Sequence, residues 1–94
     1  MSFLIPVERL RETPRLLAFY HPRPQYPVHI LIVPKKSIAS MVDLTAEDGL
    51  LLVEVFQIVS SLVEELGLKE QGYRLITNGG HYQDVQQLHF HLVS

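Results

Sequence analysis

This 94-residue chain contains no cysteine. A disulfide framework, a thiolate metal site and a cysteine nucleophile are therefore excluded, and an ordinary reducing compartment is expected. The chain also lacks any run of about 18 uncharged apolar residues, the length that a membrane-spanning helix needs. Residues 1–7 have neither the basic segment nor the long apolar stretch of a signal peptide. We therefore expect a cytoplasmic protein.

Neither positive nor negative charge is in large excess. The chain has 8 lysines and arginines against 10 aspartates and glutamates, a formal net charge of −2 and a pI near 6.2. It has no basic field that would attract nucleic acid or an anionic membrane surface. A small-molecule ligand is therefore expected, with neither nucleic acid nor a membrane as partner. The length predicts one domain, residues 1–94, whose modest core favours a homodimer.

The last eight residues alternate polar and apolar side chains, which predicts one β-strand with two different faces. The apolar face is expected to point into a core: Leu88, Phe90 and Leu92. The opposite face carries three nitrogen-bearing side chains: Gln87, His89 and His91. Side chains two residues apart on a strand stand about 6 to 7 Å from each other. That spacing suits a phosphate group or a metal ion.

Two short apolar segments upstream are typical of strands. The first is Leu16–Tyr20, and the second, residues 29–33, is β-branched, expected to be covered on both faces and ended by Pro34. Three prolines among the seven residues 21–27 exclude both a helix and a strand ladder there. The sequence therefore predicts an ordered loop between the strands, and a histidine opens the second one.

A long helix is predicted from Thr45 to about Leu66. Thr45 is the expected N-cap, Asp48 completes a variant of the capping box, and Gly67 supplies the left-handed residue that ends the helix. The polar positions of this helix form a narrow stripe, so its apolar arc is wider than one sheet face can cover. We expect part of the arc to contact a second subunit.

The remaining segments complete a sheet. Residues 73–77 predict another strand, residues 78–80 a turn, and residues 81–86 a loop that leads into the final strand. The expected fold class is α+β, with an antiparallel sheet of about five strands and one long helix packed on one face. The other face of the sheet is left open.

Four separated segments carry a family resemblance. They are residues 17–19, 27–36 and 73–79 together with the final strand, in which Gln87 precedes His89 and His91. In order and spacing they resemble the nucleotide-binding branch of the histidine-triad (HIT) family, whose motif is His-x-His-x-His. Here Gln87 stands at the first histidine position. The resemblance covers about residues 16–94 and implies a HIT-like fold.

The resemblance implies a hydrolase or transferase of purine nucleotides or nucleotide conjugates that uses no metal and no other cofactor. In that family the central histidine, here His89, attacks the α-phosphorus of a nucleoside phosphoramidate or nucleotidyl ester. Water then releases the nucleotidyl-histidine. A nucleophilic imidazole must be neutral, with one nitrogen held as a donor. The expected catalytic residues are His89, His91, His29 and Gln87.

Further residues are expected to bind the substrate. The resemblance implies that Asn78 helps to place the phosphate. Backbone N–H groups of residues 82–86, which include Asp84 and Val85, suit the non-bridging phosphate oxygens. By position alone, the nucleoside is expected to lie across apolar residues of the strands: Phe19, Tyr20 and Ile32.

Three positions depart from the family pattern. Gln87 cannot become cationic, although its amide can donate a hydrogen bond. Asp84 falls where a small hydroxyl residue is usual, and its carboxylate repels phosphate unless it turns outward. His21 falls where an acid that holds the ribose hydroxyls is expected, so the sugar is bound differently or more weakly.

Two other functions use the same residues. A nucleotide-binding module without turnover would bind a nucleoside monophosphate and form no product. A metal-binding protein would hold zinc with His89 and His91 plus either His29 or His81, although no acidic residue is placed by a motif to complete the shell.

Overall fold

The computed structural model describes residues 8–94. One antiparallel sheet has the strand order β1-β2-β3-β5-β4, and its strands are β1 Arg9–Glu12, β2 Leu16–Tyr20, β3 His29–Pro34, β4 Arg74–Ile76 and β5 Phe90–Val93. The helix α1 (Gly49–Leu66) packs on one face, and one further turn, α2 (Leu68–Gln71), follows it. Three short 3₁₀ turns lie at Met41–Asp43, Ala46–Asp48 and Gly80–Tyr82. The predicted α+β fold is confirmed.

The ends of α1 follow the predicted local signals. Thr45 accepts a hydrogen bond from the backbone N–H of Glu47 at 3.3 Å, and the Asp48 carboxylate accepts one from the N–H of Thr45 at 2.9 Å. This capping box belongs to the 3₁₀ turn that runs directly into α1. Gly67 ends the helix with a φ of 67°, a left-handed conformation that costs glycine little.

Strand lengths differ from the predicted ones. β5 begins only at Phe90, so residues 87–89 precede the ladder, and β4 is limited to Arg74–Ile76. β1 was not predicted, because its sequence Arg-Leu-Arg-Glu is mostly charged. It pairs with β2 through contacts between Arg11 and Ala18 and between Glu12 and Leu17.

The main core lies between α1 and the sheet. Alternate residues of the central strands contribute one side of it: Leu16, Ala18, Ile30, Ile32, Phe90 and Leu92. The buried side of α1 contributes the other: Leu51, Val55, Ile58, Val59, Leu62 and Val63. Full burial of each large aliphatic side chain contributes about 1.5 to 3 kcal/mol. A smaller cluster of Leu17, Phe19, Val33 and Leu31 lies on the open face of the sheet.

The sheet covers only part of the apolar arc of α1. Leu50, Val53 and Phe56 are 67%, 52% and 61% exposed. The predicted surplus of apolar surface on α1 is therefore present.

Within residues 8–94 no helix combines the length and the apolar character that crossing a membrane demands.

Candidate active site

A cavity of about 320 Å³ opens on the sheet face opposite α1. Side chains from β2, β3 and β5 form its floor, and the loops after β2 and β4 form its rim. Two of the residues assigned to the site from the sequence, Tyr20 and Ile32, do not line it. The others do: Phe19, His21, His29, Asn78, Asp84, Val85, Gln87, His89 and His91. One cavity thus brings together residues separated by up to 72 positions in the chain (91 minus 19).

The assignment of Ile32 to the site is wrong. Ile32 is 0% exposed and lies in the core beneath α1. Its neighbours Leu31 and Val33 line the cavity instead. Successive side chains of a strand point to opposite faces, so residues 29, 31 and 33 share the cavity face. Strand alternation starting from His29 therefore predicts Leu31 and Val33 as cavity residues.

The same alternation separates Tyr20 from the cavity. Phe19 is buried in the cluster on the open face, whereas Tyr20 is 47% exposed and does not line the cavity. The apolar floor of the cavity is therefore made by Phe19 with Leu31 and Val33.

The backbone fixes the tautomer of His89. Nδ1 of this half-buried ring lies 2.7 Å from the carbonyl oxygen of Gln87. Because a carbonyl only accepts, Nδ1 carries the hydrogen and Nε2 keeps its lone pair. Thr77 holds the same segment by donating its hydroxyl to the His89 carbonyl at 3.0 Å. In the neutral form of His89, which lines the cavity, the free lone pair is therefore on Nε2.

His29 and His91 form a hydrogen-bonded pair. The N–H of Gln25 donates to Nδ1 of His29 at 3.1 Å, and Nε2 of His29 lies 2.9 Å from Nδ1 of His91. Burial lowers the pKa of His29, with His21 adding to the effect. Burial, followed by the neighbouring histidines, lowers the pKa of His91 to about 4, against a smaller opposing effect of Asp84. Both rings are neutral at pH 7.

Because both rings are neutral, only one of them can donate the hydrogen bond between His29 and His91. Nδ1 of His29 accepts from Gln25, so its Nε2 carries the hydrogen and donates to Nδ1 of His91. The hydrogen of His91 then resides on Nε2, for which residues 8–94 supply no hydrogen-bond acceptor. His91 therefore offers an N–H donor where His89, two residues away, offers a lone pair.

His21 joins this pair through the loop after β2. Its ring centroid lies 4.3 Å from that of His29 and 6.1 Å from that of His91. Its Nδ1 accepts a hydrogen bond from the backbone N–H of Arg23 at 2.9 Å. The sequence indicated His21 as a sugar contact and gave no sign that its ring lies against His29 at a tilt of 31°.

The side chain of Gln87 does not face the cavity as a donor. It is buried, and its amide nitrogen donates to the carbonyls of Pro34 at 3.2 Å and Lys36 at 3.0 Å. Both amide hydrogens are therefore committed to the chain that leaves β3. The expected role of Gln87 as a catalytic residue with an amide donor is corrected accordingly. Gln87 instead ties the start of the histidine segment to β3.

The rim of the cavity is anchored by a residue that the sequence analysis missed. Gln83 is buried and donates to the carbonyls of Ala39 at 2.7 Å and Val85 at 2.9 Å. Its neighbours Asp84 and Val85 remain exposed and line the cavity. Nothing in the sequence around Gln83 predicts that its side chain holds the loop in this way.

The metal set suggested by the sequence is not formed. His81 is exposed and lies outside the cavity, and the described residues that come close enough to share an ion are His21, His29 and His91. Each offers one nitrogen, and these nitrogens lie within 4.8 Å of one another. A metal-binding imidazole normally donates its second N–H to an acceptor. Here Nδ1 of both His21 and His29 accepts from the backbone instead, so the surroundings do not fit a cation.

The lowered pKa values of His29 and His91 predict a loss of stability in mild acid. The unfolded histidines take up protons as pH falls below about 6.5, whereas His91 resists protonation down to about pH 4. The free energy of unfolding should therefore decrease between pH 6.5 and pH 4. Urea denaturation at pH 7.5 and 5.0 measures this decrease. It should be smaller in a His91→Asn variant, and an undiminished decrease in that variant would contradict the assignment.

Comparison with known proteins adds independent findings. The HIT domain family model matches residues 3–94. An uncharacterized HIT-like protein of Helicobacter pylori is 40% identical over 92 residues, which are 96% of this chain and 86% of that protein. The structure of a HIT family hydrolase from Legionella pneumophila superposes with a TM-score of 0.90 at 39% identity, covering 96% of this chain and 82% of that one.

A third relative carries a functional description. The structure of a histidine triad nucleotide-binding protein from Candida albicans superposes with a TM-score of 0.80 at 30% identity. The match covers 94% of this chain and 65% of that one.

Proposed function

This chain belongs to the HIT domain family, and from that membership we propose that it is a nucleotide hydrolase of the nucleotide-binding branch. The proposed reaction cleaves a nucleoside phosphoramidate or another nucleotidyl conjugate at the α-phosphorus. His89 is the proposed nucleophile. The proposal includes no metal and no other cofactor.

The observation that carries the proposal is the tautomer of His89. An imidazole attacks phosphorus through a nitrogen lone pair, and the hydrogen bond to the Gln87 carbonyl keeps that lone pair on Nε2. The other nitrogen is held as a donor at 2.7 Å, so the ring is oriented before substrate arrives. A histidine that served only as a solvated surface residue would not need this arrangement.

The neighbouring groups suit the two steps of the reaction. Nε2 of His89 forms a bond to the α-phosphorus while the bond from phosphorus to the leaving group breaks, and the leaving group takes a proton from the surrounding water. His91 and Asn78 both line the cavity, and in the proposed reaction the Nε2–H of His91 and the amide of Asn78 donate hydrogen bonds to the phosphoryl oxygens. Water then attacks the nucleotidyl-histidine, which releases the nucleoside monophosphate and restores neutral His89.

A purine nucleotide is the proposed ligand. The Candida albicans relative is described as nucleotide-binding. The cavity of about 320 Å³ lies at the lower end of the range of roughly 300 to 1,000 Å³ that small-molecule sites occupy. It combines the polar histidine end with an apolar floor formed by Phe19, Leu31 and Val33. The floor is suited to a base and the histidine end to a phosphate.

A binding module without turnover is the second candidate. Asp84 favours it, because a carboxylate at the cavity rim opposes the negative charge that moves onto the leaving group as its bond to phosphorus breaks. Gln87 favours it as well, since its hydrogens are committed to the carbonyls of Pro34 and Lys36. The two candidates share the site and differ in whether product is formed.

Turnover of adenosine 5′-phosphoramidate tests the proposal. We expect the protein to release AMP with 5 mM EDTA present as well as without it, at equal rates. AMP binding without AMP release would support the binding module. Activity that disappears with EDTA and returns with added zinc would contradict metal independence.

We also propose that the protein is a homodimer through the outer side of α1. Leu50, Val53 and Phe56 form exposed apolar positions that the sheet does not cover. A second copy supplies the same apolar surface, so a two-fold arrangement buries both patches at once.

A further inference from the structure

Two backbone N–H groups of the loop from His21 to Val28 donate to histidine rings, and two others donate to backbone carbonyls. Its three prolines, Pro22, Pro24 and Pro27, have no N–H group. The N–H of Arg23 donates to Nδ1 of His21 at 2.9 Å. The N–H of Gln25 donates to Nδ1 of His29 at 3.1 Å. Both of these backbone donors therefore end on imidazole nitrogens of the cavity wall.

We infer that this loop is a tautomer lock for the histidine cluster, and that Gln25 is a positioning residue of the site through its backbone N–H. The lock makes His29 donate to His91, and it makes His91 donate into the cavity. The inference deepens the proposed function and rests on it only for the identity of the bound phosphate ligand.

The direction of donation follows from which groups can accept. A backbone N–H cannot accept, so Nδ1 of His29 must supply a lone pair to Gln25. The hydrogen of neutral His29 then lies on Nε2, which is 2.9 Å from Nδ1 of His91. In the reverse tautomer of His29, two N–H groups would face each other at Gln25, and His91 would have to move its own hydrogen to Nδ1 to keep the bond between the rings. The hydrogen bond from Gln25 would then be lost inside a poorly solvated cluster.

The same rule applies to His21. Its Nδ1 accepts from Arg23, so its neutral ring carries the hydrogen on Nε2. Residues 8–94 provide no acceptor for that N–H. His21 and His91 thus both offer N–H donors at the cavity wall, and a group that only accepts hydrogen bonds, such as a phosphate oxygen, is the complementary ligand.

The lock also discriminates between ligands of opposite charge. The nitrogens of His21, His29 and His91 lie within 4.8 Å of one another, close enough to gather around an ion after small side-chain movements. To bind a cation, His21 and His29 would have to turn Nε2 lone pairs inward and place hydrogens on Nδ1. Those hydrogens would meet the N–H groups of Arg23 and Gln25. The lock therefore favours an oxyanion over a divalent cation.

Imidazole ¹⁵N NMR of the wild-type protein at pH 7.5 tests the lock without any substitution. Two-bond ¹H–¹⁵N correlations distinguish the tautomers of each ring. We expect hydrogen on Nε2 in His21, His29 and His91 and on Nδ1 in His89. Hydrogen on Nδ1 in His29 would overturn the inference. These spectra need no turnover, so an inactive protein with the expected tautomers would contradict the proposed function and leave the lock standing.

A pair of variants at one position separates the N–H of Gln25 from its side chain. Gln25 is exposed, and Gln25→Ala keeps the N–H whereas Gln25→Pro removes it. We expect Gln25→Pro to populate the Nδ1–H tautomer of His29 and to bind Zn²⁺ roughly tenfold more tightly than wild type, by analogy with outer-shell effects on metal sites. Gln25→Ala should match wild type in both respects.

Circular dichroism and a zinc titration of the wild type accompany these variants. If Gln25→Pro is unfolded, the wild-type tautomers and the zinc titration decide the question. Micromolar zinc binding by the wild type that is lost in His21→Asn would overturn the inference.

Discussion

A His89→Asn substitution is expected to lower kcat for adenosine 5′-phosphoramidate by about 10⁴-fold or more, the scale of loss seen when a covalent nucleophile or its activation is removed. The reason is specific to one atom. The neutral ring of His89 keeps a free lone pair on Nε2, because its Nδ1 hydrogen is held by the Gln87 carbonyl, and the proposed pathway uses that lone pair. An asparagine amide keeps a donor near that carbonyl and offers no comparable nucleophile.

Single-turnover assays of AMP release measure this effect. The matched control is His81→Asn, which removes an exposed imidazole that does not line the cavity and should leave kcat unchanged. The half-buried His89 ring contributes little to the core, so thermal unfolding should distinguish loss of chemistry from loss of folding. Retention of wild-type turnover in a folded His89→Asn protein would refute the assignment of the nucleophile.

A Phe56→Asp substitution is expected to raise the dimer dissociation constant by roughly thirtyfold or more, which corresponds to about 2 kcal/mol for losing a central aromatic contact. Phe56 is 61% exposed in the monomer, so the fold does not require it. A carboxylate at this position would bring two like charges together across a two-fold interface. Sedimentation equilibrium over a range of protein concentrations measures the change.

Ser61→Asp provides the control for added charge on the same helix. Ser61 is exposed, and its hydroxyl accepts hydrogen bonds from Arg11 at 3.1 and 3.0 Å, so a carboxylate there keeps a cationic neighbour. The dimer dissociation constant of the Ser61→Asp variant should equal that of the wild type. A wild-type protein that sediments as a monomer at high micromolar concentration would contradict the proposed dimer.

The parts of the fold that follow local rules were predicted from the sequence. The capping box of Thr45 and Asp48 and the left-handed Gly67 act within a few residues, and they set where the helical region begins and where α1 ends. β1 was missed because nothing in Arg9–Glu12 marks a strand locally. It exists through its pairing with β2, which is a tertiary contact.

The candidate site shows the same division between local and tertiary information. Strand alternation alone placed His89 and His91 on one face, away from Leu88 and Phe90. Alternation along β3 puts Ile32 on the face opposite Leu31 and Val33, so Ile32 lies in the core although its sequence neighbours line the cavity.

Contacts between distant segments could not be inferred. The amide of Gln87 reaches the carbonyl of Pro34, 53 residues away, and this contact decides that it is not a donor to the ligand. The loop after β2 folds back so that the His21 ring lies against His29, and no pattern in the loop sequence predicts that contact.

The central claim is covalent catalysis through His89, and intact-protein mass spectrometry during single turnover tests it most directly. Wild-type protein is mixed with excess adenosine 5′-phosphoramidate, quenched without acid and weighed, with His89→Asn treated identically. The account predicts that the wild type gains the mass of one adenylyl group, that peptide mapping places it on His89, and that the variant gains nothing. AMP release without any adduct on the wild type, or an equal adduct on the variant, would contradict it.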